Sequence, residues 1–393
     1  MPKPFAEVKT ALLVCPEAPF PAIGGGALRT ASLATYLGAH YALDLVLFRE
    51  PGAPDPSAAV PTGLARDILV IDLPAHRKDA VSKTFRNLHR LVRFIPPHED
   101  RFRGHEAAIE EWLGQRHYGF VCLEHFWTSS YAPVLKPRAA RLACDLHNIE
   151  SVFYETRAQI GRSPLSSIWH RFAAANRALE RERLPQFDTL LMTSAEDAAR
   201  VNLPNTIVYP NSIPLVPVPD VAKRHAIAFS GNLEFPPNIA AVKWFARGVW
   251  PELARRFPEL EWRVIGKRPE SVRTIVEGLP RVDLTGAVED AVRELAAAQV
   301  AVVPIQSGSG TRLKILEAWA ARTAVVSTPL GAEGLKAGNA LLLASSPDEF
   351  IDTIDKLLTN VTERERVSAT GRGLYERRFT WPAAWAFLKS NQI

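Results

Sequence analysis

Between Pro304 and Glu317 the chain reads PIQSGSGTRLKILE, a glycine-serine turn set between an apolar run and a helical pattern. A helix beginning near Thr311 presents unbonded backbone N–H groups and the positive end of its dipole to an anion. Arg312 and Lys314 add fixed positive charge at the same spot, which is what a leaving diphosphate requires as its bond breaks. Glu317, nearly two turns in, is placed to accept hydrogen bonds from ribose hydroxyls. Taken alone, the segment reads equally well as a serine-capped helix with solvated charges.

Two histidines and a glycine cluster form a second group. His147, in DLHNIES, follows an apolar run that reads as a strand, and ligands of open parallel sheets collect at the carboxyl ends of strands. Asp145, Asn148 and Glu150 flank it. His125, in LEHFWT, follows another such run and is a candidate to face an acceptor. Gly24, Gly25 and Gly26 come soon after the first apolar run and before a helical pattern starting at Ala27, so backbone there can approach a phosphate or an acceptor without a Cβ in the way. A plain tight turn accounts for the same glycines. Arg29, just inside that helix, either orients an anionic group or lies on the surface.

Elements able to position these residues are legible in the periodicity. Short runs rich in Val, Ile and Leu alternate with helical patterns along the whole length, as two doubly wound parallel sheets require. The expected strands are 10–15, 42–48, 68–73, 119–124, 140–146, 189–194 and 206–210, then 226–230, 261–266, 281–285, 299–305, 323–328 and 340–344. At 393 residues the chain exceeds one ordinary core, so two domains are expected. Four prolines between Pro210 and Pro219 forbid a helix and suit a linker. The expected division is 1–208, 209–375, and a closing segment 376–393 whose Trp381 and Trp385 share a helix face and could return to the first domain.

Apolar residues make up 47% and charged residues 23%, within the range of folded globular chains. The longest apolar runs, such as Ala11 to Cys15, fall far short of the roughly 20 residues that span a bilayer. The apolar run near the start is also too short for a signal-peptide core, so a cytoplasmic protein is expected. Cys15, Cys122 and Cys144 lack metal or redox spacing and read as buried free thiols. A net charge of +5 suits phosphate-bearing substrates or anionic lipid and is too diffuse to argue for nucleic acid. Residues 76–105 hold eight Lys or Arg against three Asp or Glu, with Lys83, Arg86, Arg90 and Arg93 at helical spacing and Val81, Phe85, Leu88, Val92 and Ile95 on another face. That pattern reads either as a solvated helix or as one that docks peripherally on anionic lipid at the inner face of the membrane.

The order and spacing of several motifs go further than any one of them. FSGNL at 229–233 with PPN at 236–238, VIG at 264–266, LTG at 284–286, GSGTRLKILEAWA at 308–320 and VVST at 325–328 resemble the nucleotide-binding domain of the retaining GT-B glycosyltransferases of family four, the glycosyl transferases group 1. DLHNIES at 145–151 and YPNS at 209–212 resemble the same family's histidine loop and proline-asparagine turn. The resemblance implies two Rossmann-like domains facing a cleft, and a sugar moved from a nucleotide diphosphate, of UDP or GDP type, to a glycan or lipid-linked acceptor in cell-envelope or exopolysaccharide synthesis. No permanently bound cofactor is implied. Glu317 matches the second glutamate of the family's Glu-x7-Glu signature, and His147 the histidine that touches the donor sugar. Gly231, Asn232, Gly308, Ser309, Gly310, Thr311 and Leu313 fall in its donor-binding loops.

The chain also departs from the pattern. Ser309 stands where the first signature glutamate belongs, so the usual carboxylate contact to the donor sugar is missing. Asn232, Leu233 and Glu234 stand where the family's diphosphate-clamping Arg and Lys commonly lie, which assigns that duty to Arg312 and Lys314 with Lys267 and Arg268 as weaker candidates. Arg322 replaces the glycine that closes the signature helix. The sequence has no Asp-x-Asp pair for a catalytic metal, and metal-independent chemistry is expected. A nucleotide-sugar epimerase or a non-catalytic sugar-binding relative keeps the same fold. A dinucleotide-dependent oxidoreductase also begins with strand, glycine turn, helix and a later acid (Glu50), but Gly24 to Gly26 lack the Gly-x-Gly-x-x-Gly spacing.

Overall fold

The computed structural model describes residues 9–76, 79–159, 166–307 and 313–393, without the side chains of Ala80 and Lys83. The chain divides into two compact units, Met1–Pro210 with Phe387–Ile393, and Asn211–Ala386. The closing helix Trp381–Ser390 therefore starts in the second unit and ends in the first.

The first unit is a seven-stranded parallel sheet in the order β3-β2-β1-β4-β5-β6-β7, with β1 Thr10–Cys15, β2 Ala42–Arg49, β3 Asp67–Asp72, β4 Phe120–Glu124, β5 Leu142–Leu146, β6 Thr189–Met192 and β7 Thr206–Val208. The second is a six-stranded sheet in the order β10-β9-β8-β11-β12-β13, with β8 Ala226–Ser230, β9 Glu261–Ile265, β10 Val282–Gly286, β11 Val300–Val303, β12 Ala324–Ser327 and β13 Leu342–Leu343. All thirteen expected strands are present within a few residues of the expected bounds. They were legible because strands covered on both faces are nearly continuous apolar runs, as in LLVC of β1 and VAVV of β11. Cys15, Cys122 and Cys144 are free and buried in the first sheet, where burial pushes each thiol well up and leaves it unreactive.

Strand order reverses once in each unit, between β1 and β4 and between β8 and β11. Loops leaving adjacent strands at such a reversal diverge to opposite faces and leave a crevice at the carboxyl edge. Gly24 to Gly26 follow β1 and His125 follows β4. In the second unit Gly231 and Asn232 follow β8, and α6 Leu313–Ala320 follows β11. The other helices that bear on the site are α1 Gly25–His40, α2 Ala80–Arg93, α3 Glu150–Gln159, α4 Ser166–Arg183 and α5 Pro236–Gly248.

One local expectation needs correction. Helix α2 points its apolar stripe outward and buries Arg90, which pairs with Asp100 at 2.8 Å, so Arg90 leaves the basic face on which the sequence put it. At the end of α6, Arg322 takes the left-handed conformation (φ 51°) that the missing glycine would have taken. The cap survives, with Thr323 N donating to Ala318 O at 2.9 Å and Arg322 N to Trp319 O at 3.0 Å. The guanidinium then reaches Glu365 at 3.5 Å on the surface.

Candidate functional site

In the first unit β4 ends on the buried acid Glu124, β5 carries the buried acid Asp145 one residue before its end, and the register makes the two partners on neighbouring strands. Two carboxylates side by side in an apolar core cannot both remain ionised without cations. The chain supplies two. Arg29, from the first turns of α1, donates Nε to Asp145 Oδ2 at 2.8 Å and Nη2 to Oδ1 at 2.5 Å, and donates Nη1 to the Tyr209 carbonyl at 2.6 Å. His147, two residues beyond Asp145 and on the same side of the strand, sets Nε2 2.7 Å from Glu124 Oε2 and 3.4 Å from Asp145 Oδ2. Thr30 donates its hydroxyl to the same Glu124 oxygen at 2.9 Å.

Burial alone would lower the pKa of His147, but its hydrogen bonds to Asp145 and Glu124 and their charges outweigh it and push the imidazole up to about 9. Burial likewise opposes ionised Asp145, yet Arg29 and His147 hold it below its ordinary value. Glu124 is raised by burial and by the charge of Asp145. The cluster thus sets Arg29 and His147 against a buried pair of acids. Its His147 is an imidazolium, a hydrogen-bond donor rather than a general base, and its Nδ1 is not bonded within the described residues.

His125 lies against this group, its ring centroid 3.7 Å from that of His147 and 4.2 Å from that of Trp127, on which it stacks. Burial and the charge of His147 drive its pKa well down, so it is neutral. Its backbone sits at φ 60°, where a non-glycine residue costs energy, and its Nε2 is buried without a hydrogen-bond partner among the described residues. A Cβ on Gly26 would lie 3.8 Å from that Nε2 and 2.8 Å from Glu17 Oε2, so Gly26 keeps open the space between them. Gly24 is the N-cap of α1 at φ 94°, and Gly25 opens the helix two residues before the expected Ala27.

Arg29 requires correction. It is neither a surface residue nor an anion-orienting one, because its guanidinium is committed to Asp145 and the Tyr209 carbonyl inside the core. Glu124 was missed as a participant. The visible signal was an acid ending an otherwise apolar strand run, FVCLE, which has to be paired if it is buried. Donor atoms of Glu124, Asp145 and His147 lie within 4.8 Å of one another, as metal ligands would. Arg29 already occupies both oxygens of Asp145, and a cation would have to displace it.

In the second unit Lys314 Nζ donates to Asn238 Oδ1 at 2.6 Å and lies 4.6 Å from the centroid of the Phe229 ring. Asn238, in the first turn of α5, donates to the Asn232 carbonyl at 2.8 Å. A Cβ on Gly231 would meet Asn238 Nδ2 at 2.8 Å and Lys314 Nζ at 3.1 Å, and one on Gly266 would meet the Gly231 carbonyl at 1.8 Å. Both glycines are therefore required by close approach. Glu317, one turn beyond Leu313 on α6, accepts the Ser230 hydroxyl at 3.3 Å. Its desolvated setting raises its pKa, against the pull of Lys314. Gly231, Asn232, Lys314 and Glu317 thus converge at the β8 end of the strand-order reversal, while Gly308, Ser309, Gly310, Thr311 and Arg312 lie outside the described residues. Arg268 is exposed on its loop, 3.5 Å from Glu234 and 3.7 Å from Glu270, as a solvated pair would be.

Two doubly wound parallel sheets, each with polar residues gathered at its strand-order reversal, are the architecture of the GT-B fold. Residues 224–360 match the family described as Glycosyl transferases group 1. Sucrose-phosphate synthase from Thermosynechococcus elongatus has a similar fold, with a TM-score of 0.74, 98% of each chain covered and 16% identity. Anabaena HepE in complex with UDP and glucose gives 0.66, covering 98% of this chain and 99% of its own, at 14% identity. A Klebsiella pneumoniae protein described as an uncharacterized 44.6 kDa protein in the cps region is 22% identical over 275 residues, 66% of this chain and 69% of that protein.

Proposed function

We propose that the protein transfers a sugar from a nucleoside diphosphate, UDP before GDP, to a glycan or lipid-linked acceptor of an envelope or capsular polysaccharide, with retention of anomeric configuration. The observation that carries the reading is the second unit's convergence of a lysine, a recessed carboxylate and two glycines, Lys314, Glu317, Gly231 and Gly266, at one strand-order reversal. Lys314 takes the diphosphate charge and Glu317 the ribose hydroxyls. UDP is favoured because HepE is described in complex with it, and polysaccharide synthesis because the Klebsiella relative lies in a cps region.

In the first unit His147 acts as a cationic donor to a sugar hydroxyl, and the space beside Gly26, His125 and Glu17 receives the acceptor. Lys314 meets leaving-group charge without a divalent metal. No residue need act as covalent nucleophile if the departing phosphate oxygen takes the acceptor's proton on the face from which the nucleotide leaves.

Calorimetric titration with UDP, GDP, ADP and NAD, with and without magnesium, on the wild type and Glu317→Ala, tests the site. Metal-independent UDP binding weakened about tenfold or more in the variant is expected, since a charged hydrogen bond is worth ~1.5–3 kcal/mol. Binding of NAD alone overturns the reading. NMR of the sugar released from a UDP-sugar reads retention directly, an inverted anomer refuting it.

A further inference from the structure

A cleft of about 410 Å³ opens in the first unit between the start of α3, the last turns of α4 and the short helix Ala195–Val201. Its floor is apolar, with Ile149 and Leu184 buried and Val201 and Leu203 half-buried. Its walls are cationic. Arg177 and Arg181 stand four residues apart on α4, hence on one face, and Arg200 comes from the last turn of the short helix. The lining holds one acid, Glu180, and both of its oxygens are bound to Ser151, accepting the backbone N–H at 2.9 Å and the hydroxyl at 2.5 Å. The arginines are less engaged. Arg177 comes within 3.7 Å of Glu155, which His170 approaches at 3.2 Å, and Arg200 lies 3.0 Å from Asp197. Arg181 has no ion pair among the described residues, although its side chain shares the cleft with two other guanidinium groups. Like charges four residues apart weaken a helix slightly, and an anion bridging them reverses the sign of that effect.

We propose that this cleft binds a phosphate monoester, with the phosphate among the three guanidinium groups and an apolar body on Ile149, Leu184 and Leu203. Guanidinium presents paired N–H donors that match phosphate oxygens. Charge sets the class of ligand, because three cations face one acid whose oxygens are already bonded, and a monoester is close to dianionic at neutral pH whereas a carboxylate carries a single charge. The floor sets the rest. Inorganic phosphate would leave that apolar surface in water, and an apolar body removes it. None of the lining residues belongs to the sites described above, so binding here is independent of the transfer reading. The cleft nevertheless backs the loop that carries His147, since Ile149 and Ser151 follow that residue by two and four positions.

The test is calorimetric titration of the full chain with phenyl phosphate, with and without UDP, against benzoate, phenol and inorganic phosphate. One phenyl phosphate is expected to bind per chain, equally well in the presence of UDP, and each control at least ~tenfold more weakly. Arg177→Glu with Arg181→Glu, both exposed and so tolerated by the fold, is expected to lower the affinity by at least ~tenfold, with circular dichroism confirming that the variant is folded. In methyl NMR the probe should shift Ile149 and Leu203 and leave Leu233 and Ile305 of the second unit in place. Failure of the chain to bind UDP would count against the transfer reading and leave these expectations as they are. Absence of phenyl phosphate binding, equal binding of benzoate, displacement by UDP, unchanged affinity in the double variant, or shifts confined to the second unit would each overturn the proposal.

Discussion

Glu124 and Asp145 are register partners on adjacent strands, and the imidazole of His147 bridges them, 2.7 Å from one carboxylate and 3.4 Å from the other. The groups facing that imidazole are Glu124 from β4, Asp145 from β5, Arg29 from α1, His125 from the loop after β4 and Glu150 from α3. Glu124 and Asp145 give its charge the most support. Glu124→Gln removes one of them and keeps the shape. The pKa of His147, about 9 in the wild type, is expected to fall toward the ordinary histidine value, followed by NMR of the imidazole nitrogens. Because Nε2 faces Glu124, the substitution acts through His147. It should reduce kcat by roughly tenfold or more, with the loss growing as pH rises, and leave UDP affinity unchanged. A His147 that still titrates near 9 would remove Glu124 from this role.

Arg29 balances Asp145 inside the core, and breaking one side of a buried pair leaves an unpaired charge. Arg29→Met is expected to destabilise the first unit by about 3–5 kcal/mol. In scanning calorimetry the first unit's transition should move down while that of Asn211–Ala386 stays in place. A shift of both transitions, or of neither, would contradict the pairing.

Much of this arrangement was readable in the sequence, and the limits have physical causes. Thirteen strands were found because parallel strands covered on both faces are apolar along their whole length. Gly231, Asn232, Lys314 and Glu317 were picked out by the order and spacing of motifs, and the structure brings them together at the end of β8. Arg29 was misread because a helix's first turn gives no sign of whether an arginine points outward or back over the sheet. Its partner Asp145 is 116 residues away. Helix α2 was read correctly as amphipathic, but periodicity fixes only that two faces exist, and the neighbours decide which of them is buried. Here Asp100 drew Arg90 inward.

Glu150, buried at the start of α3 near Glu180, is raised by burial to about 7 from an ordinary 4.5. A folded-state pKa above the unfolded one contributes stability that is fully present below the unfolded value and is lost as pH rises through the folded value. The loss is thus expected between about pH 4.5 and 7, at ~1.4 kcal/mol for each pH unit separating the two values, with an upper limit of a few kcal/mol. Glu150→Gln cannot ionise. Urea unfolding midpoints should therefore match the wild type at pH 5 and exceed it at pH 8, and a variant equally displaced at both would show that the carboxylate stays ionised throughout.

Gly231 packs against Asn238 and Lys314, and the 2.6 Å bond that joins those two side chains lies beside the space a Cβ would fill. In Gly231→Ala the new methyl meets Asn238 Nδ2 at 2.8 Å, so the amide must turn. That frees Lys314 from its anchor and loosens Asn238 from the Asn232 carbonyl. The Lys314 ammonium, 3.1 Å from the new methyl, must give way as well. UDP affinity is expected to fall by about tenfold or more, the worth of one charged hydrogen bond, while uridine, which carries no phosphate, should bind as before. Lys314→Met should reproduce the same selective loss. Equal weakening of uridine and UDP would mean that the glycine shapes the nucleoside pocket and that the lysine's charge is spent elsewhere.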